Sequence, residues 1–88
     1  MGQVAITYKV MGKDGDTDIE AVANDIRSIS DEIFDVQAVN LKPLAFGLRF
    51  IQLHVVMEDG EGLVDQFETL VRGIGDVGEV EVLEMGLL

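Results

Sequence analysis

Residues 48–57 read Leu-Arg-Phe-Ile-Gln-Leu-His-Val-Val-Met, with Ile51, Leu53, Val55 and Met57 at every second position. Side chains of a strand alternate between its two faces, so this period predicts a strand with one face buried. His54 falls on the other face, with Phe50, Gln52 and Val56. Downstream, Glu58-Asp59-Gly60-Glu61-Gly62 is a turn. Leu63, Val64, Phe67, Leu70, Val71 and Ile74 then repeat at the three- and four-residue spacing of an amphipathic helix. Gly73 and Gly75 are expected to close that helix in a left-handed cap. Val77 to Glu84 predicts a last strand with Val80 and Val82 inward.

Upstream, Pro43 lacks a backbone donor and is expected to stop regular pairing after a weaker strand from Phe34 to Leu41. Before it, Ile19, Val22, Ala23, Ile26 and Ile29 mark a helix of about 14 residues. Thr17 with Glu20 has the spacing of a capping box at its start, and Asp16 and Asp18 suit the positive helix end. The chain opens on Val4, Ile6, Tyr8 and Val10, an alternating strand that leads into the turn-rich Gly12-Lys13-Asp14-Gly15-Asp16. The order strand, helix, strand, strand, helix, strand predicts an α+β ferredoxin-like plait, a four-stranded antiparallel sheet with both helices on one face.

The 88 residues suit one domain, 1–88, because there is no room for two independent cores. Six basic against seventeen acidic side chains give a net charge of −11. That balance argues against direct nucleic-acid binding, which is built on Lys and Arg, and against an anionic membrane surface. A protein with a basic face, or a cation, fits better. The absence of cysteine excludes disulfides, thiol chemistry and Cys-ligated metals. No run reaches the roughly 18 apolar residues of a membrane span, so a cytoplasmic location is expected.

The motifs carry little chemistry. Gly73-Ile74-Gly75-Asp76-Val77-Gly78 matches G-x-G-x-x-G, but it closes a helix and enters a strand. A dinucleotide fingerprint does the reverse, so a helix cap and turn is the better reading. Asp14, Asp16 and Asp18 resemble the start of a calcium loop, yet Ile19 stands where Gly is needed and Asp25 where the bidentate Glu belongs. They read as a charged loop and helix cap. His54, the single histidine, has no placeable partner for base or metal chemistry. No G-x-S-x-G nucleophile appears, and no carboxylate pair can be singled out as an acid/base couple. An enzyme, a cofactor and a bound metal are therefore not expected. Phe46, beside Gly47 in a loop entering the strongest strand, is either a staple onto the core or an exposed anchor for a partner.

The run from Leu44 to Gly62, LAFGLRFIQLHVVMEDGEG, resembles the exchange domain of the translation elongation factor 1-beta family. It shares an aromatic-Gly step, an alternating strand with Gln52, and the Glu58-Asp59 pair. Asp16-Thr17-Asp18-Ile19 and Arg27-Ser28-Ile29 are similar to the family's first-helix entry and exit. The likeness covers essentially the whole chain and is to the archaeal form, which consists of this domain alone. It implies a guanine nucleotide exchange factor whose partner is the GTPase elongation factor 1-alpha. It also implies that Phe46 and Gly47, with the basic Arg49 just after, contact that GTPase, as does the tail containing Leu87 and Leu88. Phe50 stands where eukaryotic members often carry a lysine. The tail Glu84-Met85-Gly86-Leu87-Leu88 lacks their terminal lysine, so another group replaces it or the tail acts sterically. The competing reading is a small-molecule-binding regulatory plait that self-associates through its sheet edge, supported by an open face carrying Phe50 and Val56.

Overall fold

The structure, a computed structural model, describes residues 2–88. Strands β1 (Gln3–Gly12), β2 (Phe34–Pro43), β3 (Arg49–Glu58) and β4 (Val77–Leu87) alternate with helices α1 (Ile19–Arg27) and α2 (Leu63–Arg72) in the order βαββαβ. They form one antiparallel sheet in the order β2-β3-β1-β4, the ferredoxin-like plait. The expected alternation is borne out in the two central strands. Val4, Ile6, Tyr8 and Val10 of β1, and Ile51, Leu53, Val55 and Met57 of β3, are all buried on the helix face. Val22, Ala23 and Ile26 from α1 and Phe67 and Val71 from α2 complete that core.

Local chemistry moved several boundaries. Asp18, not Thr17, caps α1: its Oδ1 accepts from the Ala21 N–H at 3.3 Å. Thr17 Oγ1 turns back to accept from the Asp14 N–H at 3.2 Å. The helix is also shorter than expected, at 9 residues. Ser28 Oγ donates to the Asn24 carbonyl, and Ile29 and Ser30 bond three residues back, which tightens the chain out of the helix. Ile29 still packs against the core. Pro43 does not interrupt pairing but lies opposite Arg49 at the end of the ladder. Leu44 donates inward to the Leu48 carbonyl at 2.7 Å, so strand alternation aims the donorless Pro43 position at the open edge.

At the end of α2, Gly73 has φ −74°, so the expected left-handed cap is absent. The left-handed glycines are Gly47 and Gly62, the second at the start of α2. The last strand runs on to Leu87, and Val82, although on the helix side opposite Tyr8, is 42 % exposed, because β4 is an edge strand on which only Val77 and Val80 pack against the core.

Phe67 links the layers. Its ring centroid lies 5.7 Å from that of Tyr8 and 5.2 Å from that of Phe34. Tyr8 donates its hydroxyl to Glu68 Oε2 at 3.1 Å, and Glu68 pairs with Arg72 along the helix. Burial, reinforced by the Glu68 carboxylate, pushes the Tyr8 phenol well above its usual range. The folded state therefore disfavours tyrosinate, whereas the unfolded chain ionises at about pH 10. Stability is intact below that pH and falls above it, by about 1.4 kcal/mol per pH unit from this group. Denaturant titrations of the native chain and Tyr8→Phe across that range should show the extra loss only with Tyr8. Because Tyr8 is the single tyrosine, tyrosinate absorbance should appear together with unfolding. Phe67→Ala should lower stability by about 3–5 kcal/mol, the cost of deleting a buried aromatic.

Candidate functional site

The β2–β3 connection is a left-handed turn at Ala45–Gly47. Phe46 has φ 62° and ψ 30°, and Gly47 has φ 74°. The Leu48 N–H donates to the Ala45 carbonyl at 3.3 Å, so the two central residues form a turn of the I′ kind, matched to strand twist. Glycine adopts that conformation freely, whereas the Cβ of Phe46 makes it cost about 1–2 kcal/mol. The ring recovers nothing from packing, since Phe46 is 97 % exposed. The staple onto the core is thereby overturned: the aromatic projects from the hairpin tip. Strain retained at a fully exposed apolar group points to a role outside the fold.

Arg49 roots this hairpin. Its Nη1 lies 3.4 Å from Glu20 Oε1 in the first turn of α1, an exposed pair that orients more than it stabilises. The β1–α1 loop lies alongside. Asp14, Gly15, Leu48 and Arg49 border two shallow clefts of about 150 and 200 Å³. Both are smaller than the roughly 300–1,000 Å³ typical of small-molecule pockets.

The tail lies elsewhere. Leu87 pairs with Val4, and the Leu88 N–H donates to the Gln3 carbonyl at 2.8 Å, beside the Met57 end of β3. Along β3 from Arg49 to Met57 the separation is about 27 Å. Phe46, Gly47 and Arg49 thus gather at one end of the sheet, and Leu87 and Leu88, both exposed, at the other.

The remaining candidates have structural employment. Phe50 is half-buried on the open face under the Lys9 ammonium, 5.1 Å from its ring centroid. A basic group therefore still flanks the position, supplied from β1. His54 Nδ1 lies 3.0 Å from Thr7 Oγ1, its cross-strand neighbour. Asp14 Oδ1 accepts from the Asp16 N–H at 2.9 Å while Asp18 caps α1, so these carboxylates close local turns. Among the described residues no three His, Cys, Asp or Glu converge on a metal position. Gly78 of the glycine motif lets β4 approach β1, since a Cβ there would stand 2.6 Å from the Gly12 carbonyl oxygen. The strained turn and the Arg49–Glu20 pair were not read from sequence. A Phe-Gly step bridging two strands was the available signal for the first.

The fold and its features define a plait with Phe46 projecting at one end of its sheet and Leu87 and Leu88 exposed at the other. The chain belongs to the EF-1 guanine nucleotide exchange domain family, whose profile matches residues 5–88. It is 36% identical over 88 residues to an elongation factor 1-beta of Archaeoglobus fulgidus, covering 100% of both chains. It is 34% identical over 85 residues to that of Methanothermobacter thermautotrophicus, covering 97% of this chain and 96% of the relative. That of Thermoplasma acidophilum is 28% identical over 88 residues, again covering 100% of both. Among the described residues no helix is long and apolar enough to cross a membrane.

Since Phe46 carries strain without packing, Phe46→Gly should leave the melting temperature unchanged or raise it, with a gain of up to about 1 kcal/mol. A loss of stability in thermal unfolding would return the ring to the core.

Proposed function

We propose that this protein promotes exchange of GDP for GTP on elongation factor 1-alpha, engaging the GTPase through both ends of its sheet and disturbing the Mg²⁺ and nucleotide site. The reading rests on family membership and on one observation, the strained and fully exposed Phe46. Exposed aromatics on a rigid turn are the usual anchors of protein interfaces.

The thermodynamics is linkage. A factor that binds the nucleotide-free GTPase more tightly than the loaded one must weaken nucleotide affinity by the same ratio. Such a factor needs no covalent chemistry of its own, because tight nucleotide binding rests on the phosphate loop and Mg²⁺ of the GTPase. Phe46, Gly47 and Arg49 supply one anchor, and Leu87 and Leu88 reach the nucleotide end. A net charge of −11 steers the factor toward a basic partner. With no basic residue in the tail, its action at the nucleotide site is steric.

Release of a fluorescent GDP analogue from the cognate GTPase at fixed Mg²⁺ tests this directly, and acceleration by substoichiometric protein is the expected result. Phe46→Ala should reduce the rate by about tenfold or more, as for a hot-spot residue, without loss of fold. Deleting Leu87 and Leu88 should reduce the rate, with a stability cost limited to the Leu87–Val4 pairing and the Leu88–Gln3 hydrogen bond, because both side chains are exposed. Unchanged exchange after that deletion would clear the tail of its role.

A further inference from the structure

The outer edge of β4 has no strand partner, and its two faces differ sharply in chemistry. On the helix side lie Val80, Val82, Met85 and Leu87, opposite Val10, Tyr8, Ile6 and Val4 of β1. The β1 partners are buried, yet Met85 is 50 % and Leu87 73 % exposed. Of the nine large apolar residues that remain exposed among those described, four lie on β4, counting Leu83, and Leu88 follows directly. On the open side lie Glu79, Glu81 and Glu84, opposite Met11, Lys9 and Thr7. None of the three forms an ion pair among the described residues, and Lys9 leans instead over Phe50.

The other edge is built differently. On β2, Phe34 is buried, Val36, Val39 and Leu41 are half-buried against the core, and the strand carries both charge signs, Asp35 (accepting from the Gln37 side chain) and Lys42. The row of bare apolar groups beside a row of three glutamates is therefore particular to β4.

We propose that the outer edge of β4 accepts a further β-strand from a protein partner, an extended segment in which Lys or Arg alternates with apolar residues. Strand addition satisfies the unpaired backbone groups of an edge, and alternating side chains supply specificity. In the added strand, side chains directly opposite lie about 5 Å away, so basic residues meet the Glu79, Glu81 and Glu84 row. The apolar residues between them cover Val80, Val82 and Met85. A second copy of this chain is a poor occupant, because it sets the same acidic row against itself between molecules each carrying −11. The bulge at Leu83, where the register against β1 shifts between Thr7 and Tyr8, divides the edge and pins the register of an incoming strand.

The probe is a labelled peptide of about eight residues alternating lysine and valine, N-methylated along one edge to prevent self-association. Saturable binding, with slowed amide exchange confined to β4, is the expected result. Charge reversal in Glu79→Lys/Glu81→Lys should weaken binding by about tenfold or more. A glutamate–valine peptide should fail to bind. Protection elsewhere on the sheet, equal binding of the acidic peptide, or pairing of β4 with a second copy in sedimentation and exchange would each overturn the proposal. The exchange map of the native chain decides the matter even if the double variant does not fold.

Discussion

Two short helices must cover four long strands, and they complete the job only at the centre. Helices of 9 and 10 residues extend about 14–15 Å, whereas strands of 10 or 11 residues extend about 33–36 Å. The apolar faces of β1 and β3 are sealed by Phe67, Ile26, Val22 and Val71. Everything beyond that seal is surface: the hairpin tip, the tail and the outer strand. The same limit leaves apolar side chains exposed at both ends without exposing the core, so the molecule can present greasy groups to a partner and keep a well-packed centre.

That limit also separates what the sequence reveals from what it hides. The alternation of Ile51, Leu53, Val55 and Met57 is dictated by burial, and burial is what hydrophobic patterning records. Val82 shows the boundary of that logic. Its place opposite Tyr8 follows from pairing, but its exposure depends on whether a helix reaches that strand, which no local pattern states. The cap of α1 is Asp18 rather than Thr17 for a smaller reason. Thr17 and Asp18 are both good caps, and the choice was settled when Asp14 drew the Thr17 hydroxyl into its own turn.

Phe46 was visible as a residue and invisible as a conformation. Sequence places an aromatic beside Gly47 between two strands, and turn chemistry then requires two left-handed residues, of which only one is glycine. The strain at Phe46 is the product of that requirement. The proposed roles of Leu87 and Leu88 rest on family likeness alone, and their position about 27 Å from Arg49 emerges only from strand register.

That separation constrains how exchange could work. On the proposed reading, groups this far apart would not act on one nucleotide but would grip different parts of one GTPase. A rigid sheet joining the two grips transmits position rather than force, and its usefulness depends on not bending. Three antiparallel ladders and a buried helix-side face of β1 and β3 provide that stiffness. An aromatic carried on a strained turn serves the same end, because its backbone is already held in place and loses little freedom on binding. On that proposal, the interaction energy gained at Phe46 would be available to oppose nucleotide binding at the far end, which linkage requires of any exchange factor.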